Sequence, residues 1–231
     1  MAYGPDTDEL LRRIQESNNS LDVAGLRIHS LPELPTGLQK LHCSYTQITS
    51  LPELPAGLQK LYCFYTPITS LPNLPAGLQD LCCSCTQITS LPELPAGLQK
   101  LYCFRTQITS LPELPTRLHW LECSHTQITS LPELPAGLQK LYCFHTQITS
   151  LPELPTRLQW LDCSHTPLLL QRKEDENITD YNLRWRELRE EQASKKRMQE
   201  KNRLLKEEIM MEAWKPERME RWLNIGYDPD E

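Results

Sequence analysis

The 231-residue sequence has no apolar run approaching the ~18 residues a membrane-spanning helix needs. It also has no excess of basic charge: the formal net charge is -6, which argues against general affinity for phosphate backbones. The N-terminal MAYGPDTDELLRRIQ has no basic-then-apolar order and does not read as a secretory signal. Glycine is scarce, at 8 residues, and there is no Gly-rich phosphate loop, no G-x-S-x-G and no H-E-x-x-H. The segment after Leu170 holds no cysteine, so it offers no thiol for covalent transfer, and it is too short for a comparable catalytic domain. A non-catalytic protein without a cofactor is expected.

What is present is a period. From Leu31 to about Leu170 the pattern L-P-x-L-P-x-x-L-x-x-L-x-C-x-x-T-x-I-T-S recurs seven times at 20-residue spacing. A unit this short cannot bury its own apolar side, so neighbours must stack around a shared core. Most of the 19 prolines fall in the repeats and are structural. In the unit from Leu51 to Ser70, the segment Lys60-Leu61-Tyr62-Cys63-Phe64 alternates with period two, as a strand does. Leu58, Leu61, Cys63 and Ile68 are expected inside, with Lys60, Tyr62 and Phe64 on the opposite face. Leu51-Pro52 and Leu54-Pro55 form an extended return, because proline fixes φ and keeps the preceding residue out of helix. Gly57 is expected to ease the turn, although Arg117 and Arg157 stand at the same place in other units.

Seven of the nine cysteines (Cys43, Cys63, Cys83, Cys103, Cys123, Cys143 and Cys163) share one inward column. They are expected to be reduced and to pack as small hydrophobes, which suits a reducing, intracellular compartment. The sequon at Asn177 is then irrelevant.

The unit fits the leucine-rich repeat consensus, with Cys in place of the third Leu and Thr46, Thr66, Thr86, Thr106, Thr126, Thr146 and Thr166 in place of Asn. A Thr hydroxyl can bond backbone of its own or the next turn. With its Leu-Pro-x-Leu-Pro return, the region from Leu21 to Leu170 resembles the leucine-rich repeat effectors secreted by Gram-negative pathogens. The resemblance implies an α/β solenoid, a horseshoe with a short-strand parallel sheet on its concave face and polyproline-like returns on its convex face.

Three segments follow. Residues 1–30 read as an N-terminal cap. A short helix capped by Asp6 or Thr7, with Leu10, Leu11 and Ile14 as its apolar face, leads through Ser17–Ser20 to a half-repeat with Leu21, Val23, Leu26 and Ile28 inward. Residues 31–170 are the repeats. Residues 171–231 form a charged helical tail. There Asn177 is the expected N-cap, and Ile178, Tyr181, Trp185 and Leu188 form a stripe that docks on the last repeat. The stripe fades from Arg189 to Arg203, where Glu191 and Lys195 pair, and resumes at Leu204, Leu205, Ile209 and Met210. A second short helix is expected from Pro216 with Met219, Trp222 and Leu223, ending at Gly226. The ending W-K-P-E-R-M-E-R-W-L-x-x-G-Y-D (Trp214 to Asp228) resembles the C-terminus of many proteins of giant DNA viruses, marseillevirus-like ones in particular. That resemblance implies a protein acting in the cytoplasm of an infected host cell.

The outward strand positions are the candidate site. Exposed aromatics on a rigid sheet give large contact area at low entropic cost. The expected partner-binding residues are Lys60, Tyr62, Phe64, Lys100, Tyr102, Phe104, Trp120, Glu122, Lys140, Tyr142, Phe144, Trp160 and Asp162. They alternate partly, K-Y-F against W-E/D-S. The partner is expected to be a host protein, with no nucleic acid, membrane or metal. The competing reading is recent duplication, with aromatics that merely cover one another. Two further alternatives are a passive solenoid whose tail self-associates, through Trp214, Trp222 and Tyr227 among others, and an adaptor whose tail recruits degradation machinery. His125, His145 and His165 form a column whose parallel side chains do not converge on a metal, so a solvated polar row is expected. Cys82-Cys83-Ser84-Cys85 has no second cysteine pair to complete a tetrahedral site, and Cys82 and Cys83 face opposite ways. Lys195-Lys196-Arg197 lies among Glu190, Glu191 and Glu200 and reads as a solvated helix face.

Overall fold

The computed structural model describes residues 6–173 and 175–213. The expected helix from Pro216 and the ending from Trp214 to Asp228 lie outside the described residues. The chain divides into two compact units, one reaching to Asn182 and one from Leu183 onward.

Helix α1 (Thr7–Glu16) precedes strand β1 (Ser20–Asp22). Seven further strands follow, one per repeat: β2 (Lys40–His42), β3 (Lys60–Tyr62), β4 (Asp80–Cys82), β5 (Lys100–Tyr102), β6 (Trp120–Glu122), β7 (Lys140–Tyr142) and β8 (Trp160–Asp162). They form one parallel sheet in chain order, and each residue pairs with its equivalent in the next repeat. This is the expected solenoid sheet, and the half-repeat supplies its first strand. Each strand is shorter than the alternating segment suggested, but the ladder continues past it through Cys43 N–H to Tyr62 C=O at 2.8 Å and Tyr45 N–H to Phe64 C=O at 3.1 Å.

The core is the set of inward columns. Leu58, Leu61, Cys63 and Ile68 are 0% exposed, and their equivalents repeat this through the array. Each such leucine, taken wholly out of water, contributes roughly 1.5–3 kcal/mol relative to exposure. All nine cysteines are free, and the seven of the column are buried. Each Thr hydroxyl donates to the carbonyl of the Cys that precedes it in its own turn, as from Thr46 to Cys43 at 2.8 Å and from Thr106 to Cys103 at 2.7 Å. The thiols of Cys43, Cys63, Cys83, Cys103 and Cys123 reach instead to the next repeat, as from Cys103 Sγ to the Glu122 carbonyl at 3.4 Å.

One backbone feature is not legible as a glycine pattern. Tyr45, Tyr65, Cys85, Arg105, His125, His145 and His165 all have left-handed φ, between 52° and 59°. The half-repeat meets the same need at the equivalent position with Gly25, φ 73°. A left-handed residue after the strand is therefore a requirement of the coil, filled by seven side-chain-bearing residues at a steric cost of ~1–2 kcal/mol each. Gly57, by contrast, does not need to be glycine. Its φ is not positive, and a Cβ there would meet only Leu38 O at 3.8 Å. That is why Arg117 and Arg157 fit at the same place.

The ends depart from expectation in detail. Asp6 precedes α1 without making a side-chain cap. Its carboxylate instead accepts from the Arg27 backbone N–H at 2.7 Å, tying the helix to the half-repeat. Leu10 is buried and Ile14 half-buried, but Leu11, expected on the same apolar face, is 44% exposed and lies outside the buried one. Leu26 is only half-buried, while Leu21, Val23 and Ile28 are inside. Arg13 Nη1 donates to the Asp22 carbonyl at 2.9 Å, on the open edge of β1.

At the other end, side chains satisfy the last coil. Arg172 Nη1 donates to Leu161 C=O at 3.1 Å, Gln171 to Thr166 C=O at 2.9 Å, and the Tyr181 hydroxyl to Leu170 C=O at 2.7 Å. Asn182 brackets Leu154 by donating to its carbonyl at 2.9 Å and accepting from its N–H at 3.3 Å. Helix α2 (Ile178–Ala213) starts on the expected cap. Asn177 Oδ1 accepts from Asp180 N–H at 2.9 Å, and its amide donates to the Asp180 carboxylate at 2.7 Å.

In the second unit α2 carries ion pairs along its polar length, Lys195 to Glu191 at 2.6 Å and Arg203 to Glu200 and Glu207 at 2.7 and 2.6 Å. Leu204 and Leu205 are about half-exposed, and Ile209 and Met210 lie beyond the described side chains.

Candidate functional site

The inward residues of each repeat turn the intervening side chains to the opposite face. Lys60, Tyr62, Phe64, Lys100, Tyr102, Phe104, Trp120, Glu122, Lys140, Tyr142, Phe144 and Asp162 are all half-buried there, and Trp160 is 55% exposed. Three of the four serines that alternate with the phenylalanines are not surface residues, whereas the fourth, Ser164 in the last coil, is exposed. Ser44, Ser84 and Ser124 are 0% exposed. The Phe64 ring lies 5.9 Å from the His42 ring and 5.1 Å from that of Tyr45, so it roofs Ser44 between them. Phe144 meets His125 at 5.1 Å in the same way. The alternation of Ser and Phe from one repeat to the next is therefore a small-under-large packing rule, and the sequence signal for it is that alternation itself.

A second rule governs the tryptophans. Trp120 stands one column over from Tyr102 and Tyr142, yet its ring lies between theirs, at 5.5 and 5.9 Å. Tyr142 meets Trp160 at 6.4 Å, and Lys140 Nζ sits 4.2 Å over the Trp120 ring. The result is one aromatic ridge across β5 to β8, with a cation on its flank. The space for Trp120 exists because the Tyr column is interrupted by Glu122. That carboxylate folds back to the Ser124 N–H at 3.2 Å, and burial raises its pKa.

A separate cluster occupies the first repeats, where His42 meets Tyr62 edge-on at 5.8 Å and Tyr45 stacks on Tyr65 at 5.0 Å. Between the two aromatic groups lies the strand Asp80–Cys82, which carries no ring. Asp80 is 8% exposed, although its column is otherwise half-open. Tyr62 Oη and Lys60 Nζ approach its Oδ2 at 3.4 and 3.5 Å. Strand alternation alone turns Asp80 outward and does not reveal this burial, because the side chains that cover it come from neighbouring repeats.

The left-handed residues form an outer row. His125, His145 and His165 are exposed and stack face to face at 4.6 and 4.3 Å, with planes 18° and 2° apart. The expected solvated polar row is thus an ordered stack, set by the shared φ. Among the described residues no group of three or more His, Cys, Asp or Glu converges to hold a metal ion. Cys83 faces inward and Cys82 outward, and Cys82 and Cys85 are half-buried, unlike the column thiols. Lys195, Lys196 and Arg197 are exposed on α2, with Lys195 paired to Glu191.

No family model and no curated protein matches the sequence. Solved structures do. The leucine-rich repeat domain of a Shigella effector is 34% identical, with a TM-score of 0.62 over 65% of this chain and 70% of that one. The chain belongs to the leucine-rich repeat family. The leucine-rich effector YopM of Yersinia pestis is 29% identical with a TM-score of 0.69, over 72% of this leucine-rich repeat protein and 49% of YopM. The functional domain of InlJ from Listeria monocytogenes is 28% identical with a TM-score of 0.58, over 67% of this chain and 36% of that one. That InlJ domain includes a cysteine ladder. This leucine-rich repeat protein has one buried free thiol per coil, from Cys43 to Cys163. The chain spans about half or less of the YopM and InlJ chains it matches.

Proposed function

We propose that this leucine-rich repeat protein is a non-catalytic scaffold that binds a partner protein on its concave face. The observation that carries this reading is the ridge of Tyr102, Trp120, Tyr142 and Trp160. Four large rings are held at 5.5–6.4 Å spacings on a sheet whose every strand is fixed by backbone bonds. Rings already immobilised cost little further order on binding, and Tyr and Trp dominate interface hot spots. The solenoid fold shared with bacterial effectors supports a protein as the partner. The ending from Trp214 to Asp228 supports a protein of a marseillevirus-like virus, working in the host cytoplasm on a host protein. Thiols buried without a disulfide suit that reducing compartment.

The test is affinity capture from host lysate with wild type beside a variant carrying Tyr62, Tyr102 and Tyr142 changed to Ala. Captured proteins should be lost with the triple variant and kept with a control at exposed Thr109→Ala and Thr129→Ala. An unchanged set of captured proteins would sink the concave-face reading.

A second reading has its own observation. Leu204 and Leu205 are 49% and 51% exposed on α2, and Met198 is 60% exposed. These side chains favour self-association through the tail. Solution mass of Leu204→Glu with Leu205→Glu separates the two. Dissociation of an oligomer would assign the tail contact, and an unchanged mass would remove it.

A further inference from the structure

The aromatic ridge of the concave face has a charge and a spacing, and the two together select what lies on it. Its carboxylates are already engaged. Glu122 accepts from the Ser124 N–H at 3.2 Å, and Asp162 accepts from the Ser164 N–H at 3.1 Å and its hydroxyl at 2.8 Å. Asp80, in register with Lys100, is 8% exposed and lies 3.5 Å from Lys60 Nζ. The cations of the ridge have no such partner. Lys100 and Lys140 form no ion pair among the described residues, and Lys140 Nζ sits 4.2 Å over the Trp120 ring. The exposed Glu113 and Glu133 of these coils stand on the returns instead. The ridge therefore presents rings and uncompensated positive charge, although the chain as a whole carries -6.

The spacing follows from the alternation of repeats. Lys100 and Lys140 lie in register on either side of Trp120, as Tyr102 and Tyr142 do on either side of Glu122. Equivalent groups two strands apart stand about 9.6 Å from each other across the sheet. A polyproline II chain returns to the same side every third residue, about 9.3 Å further on. A β-strand brings same-side residues back at about 6.7 and about 13 Å, and an α-helix after two turns at about 10.5 Å, so both fall out of step sooner. Aromatic surfaces are also where the prolines of such a chain dock.

Resting on the scaffold reading, we propose that the ridge binds an acidic, proline-rich segment of the partner protein, in polyproline II form across β5 to β8, with prolines on the Tyr and Trp rings and a carboxylate every third residue paired to Lys100 and then Lys140. Both surfaces are preformed, the segment by its prolines and the ridge by its sheet, so little order is lost on contact.

The probe is a fluorescein-labelled peptide of four Pro-Pro-Glu repeats, titrated with the full chain and followed by anisotropy. Saturable binding is expected at about 50 mM salt with Kd below about 200 µM. A peptide of the same composition, with all its prolines first and its glutamates last, should bind at least about fivefold more weakly, and Pro-Pro-Lys repeats should not saturate. Lys100→Glu with Lys140→Glu should weaken the acidic peptide at least about tenfold and create binding of the Pro-Pro-Lys repeats, a gain that a misfolded chain would not show. Should that variant not fold, Trp160→Ala, at a residue 55% exposed, should lower affinity at least about threefold. Lys195→Glu with Lys196→Glu, the same charge change on α2, should stay within about twofold of wild type. No saturation up to about 1 mM, equal binding of the block peptide, or tighter binding of a helical peptide with glutamates seven residues apart would overturn the proposal. Peptide failure with capture still lost in the triple Tyr variant would reject this occupant and leave the scaffold. Peptide binding with capture unaffected would support this occupant and reject the captured proteins as its source.

Discussion

Thr106→Val is the most direct test of what holds each coil. Thr106 is 5% exposed, and its hydroxyl donates to the Cys103 carbonyl at 2.7 Å. Valine keeps the shape and branching, so no cavity opens. What changes is one buried carbonyl left without its donor, which costs about 1–3 kcal/mol, and the loss is uncushioned because the residue lies in a middle coil, packed between repeats on both sides. For a unit of this size, each kcal/mol lowers Tm by about 2–4 °C, so a fall of roughly 2–12 °C is expected. Urea denaturation followed by circular dichroism gives the free energy directly, with the midpoint moving and the slope unchanged. Thr109→Val, on the exposed side of the same repeat, is the control and should stay within about 0.5 kcal/mol of wild type. If Thr106→Val also stays within that margin, the threonine ladder is decorative and the coils are held by apolar packing alone.

The thiols should divide two against seven. A thiol reagent at neutral pH should modify Cys82 and Cys85 in the native protein and the column only on unfolding. Burial pushes Cys43 up to about 12 and raises the other column thiols as well. More than three fast-reacting thiols in the native state would contradict the assignment of faces. At Arg105, exposed and left-handed at φ 52°, substitution by Gly should be neutral or up to about 1 kcal/mol stabilising, and substitution by Val should cost about 1–2 kcal/mol. Equal stabilities by urea titration would show that the backbone there has relaxed. Acid should weaken the stacked histidines. Desolvation, then the charge of His145, then Arg105 hold His125 below its ordinary 6.5. The unfolded chain therefore takes up its proton first, and stability falls as pH drops through 6.5 toward the lower folded value. Thermal melts from about pH 7.5 to about pH 5.5 should show that fall, and His125→Gln with His145→Gln should flatten it. An identical slope in the double variant would remove the stack as its source.

The sequence by itself determined the coil, its length and its two faces. A 20-residue period with Leu61, Cys63 and Ile68 at fixed offsets admits one inward set, because side chains alternate along a strand and each coil repeats the one before. It also determined the caps it could reach locally, as at Asn177, where donor and acceptor lie within a single helical turn. Tertiary structure decided whatever depends on side chains from an adjacent coil. Ser44 is inside because Phe64 from the next coil roofs it, Trp120 crosses a column because Glu122 leaves room, and Asp80 is buried because Tyr62 and Lys60 close on one of its oxygens. Periodicity fixes which way a side chain points. Only the packed neighbour fixes how far it leans, since that choice is made among rotamers of similar intrinsic energy by contacts that do not exist until the coils stack.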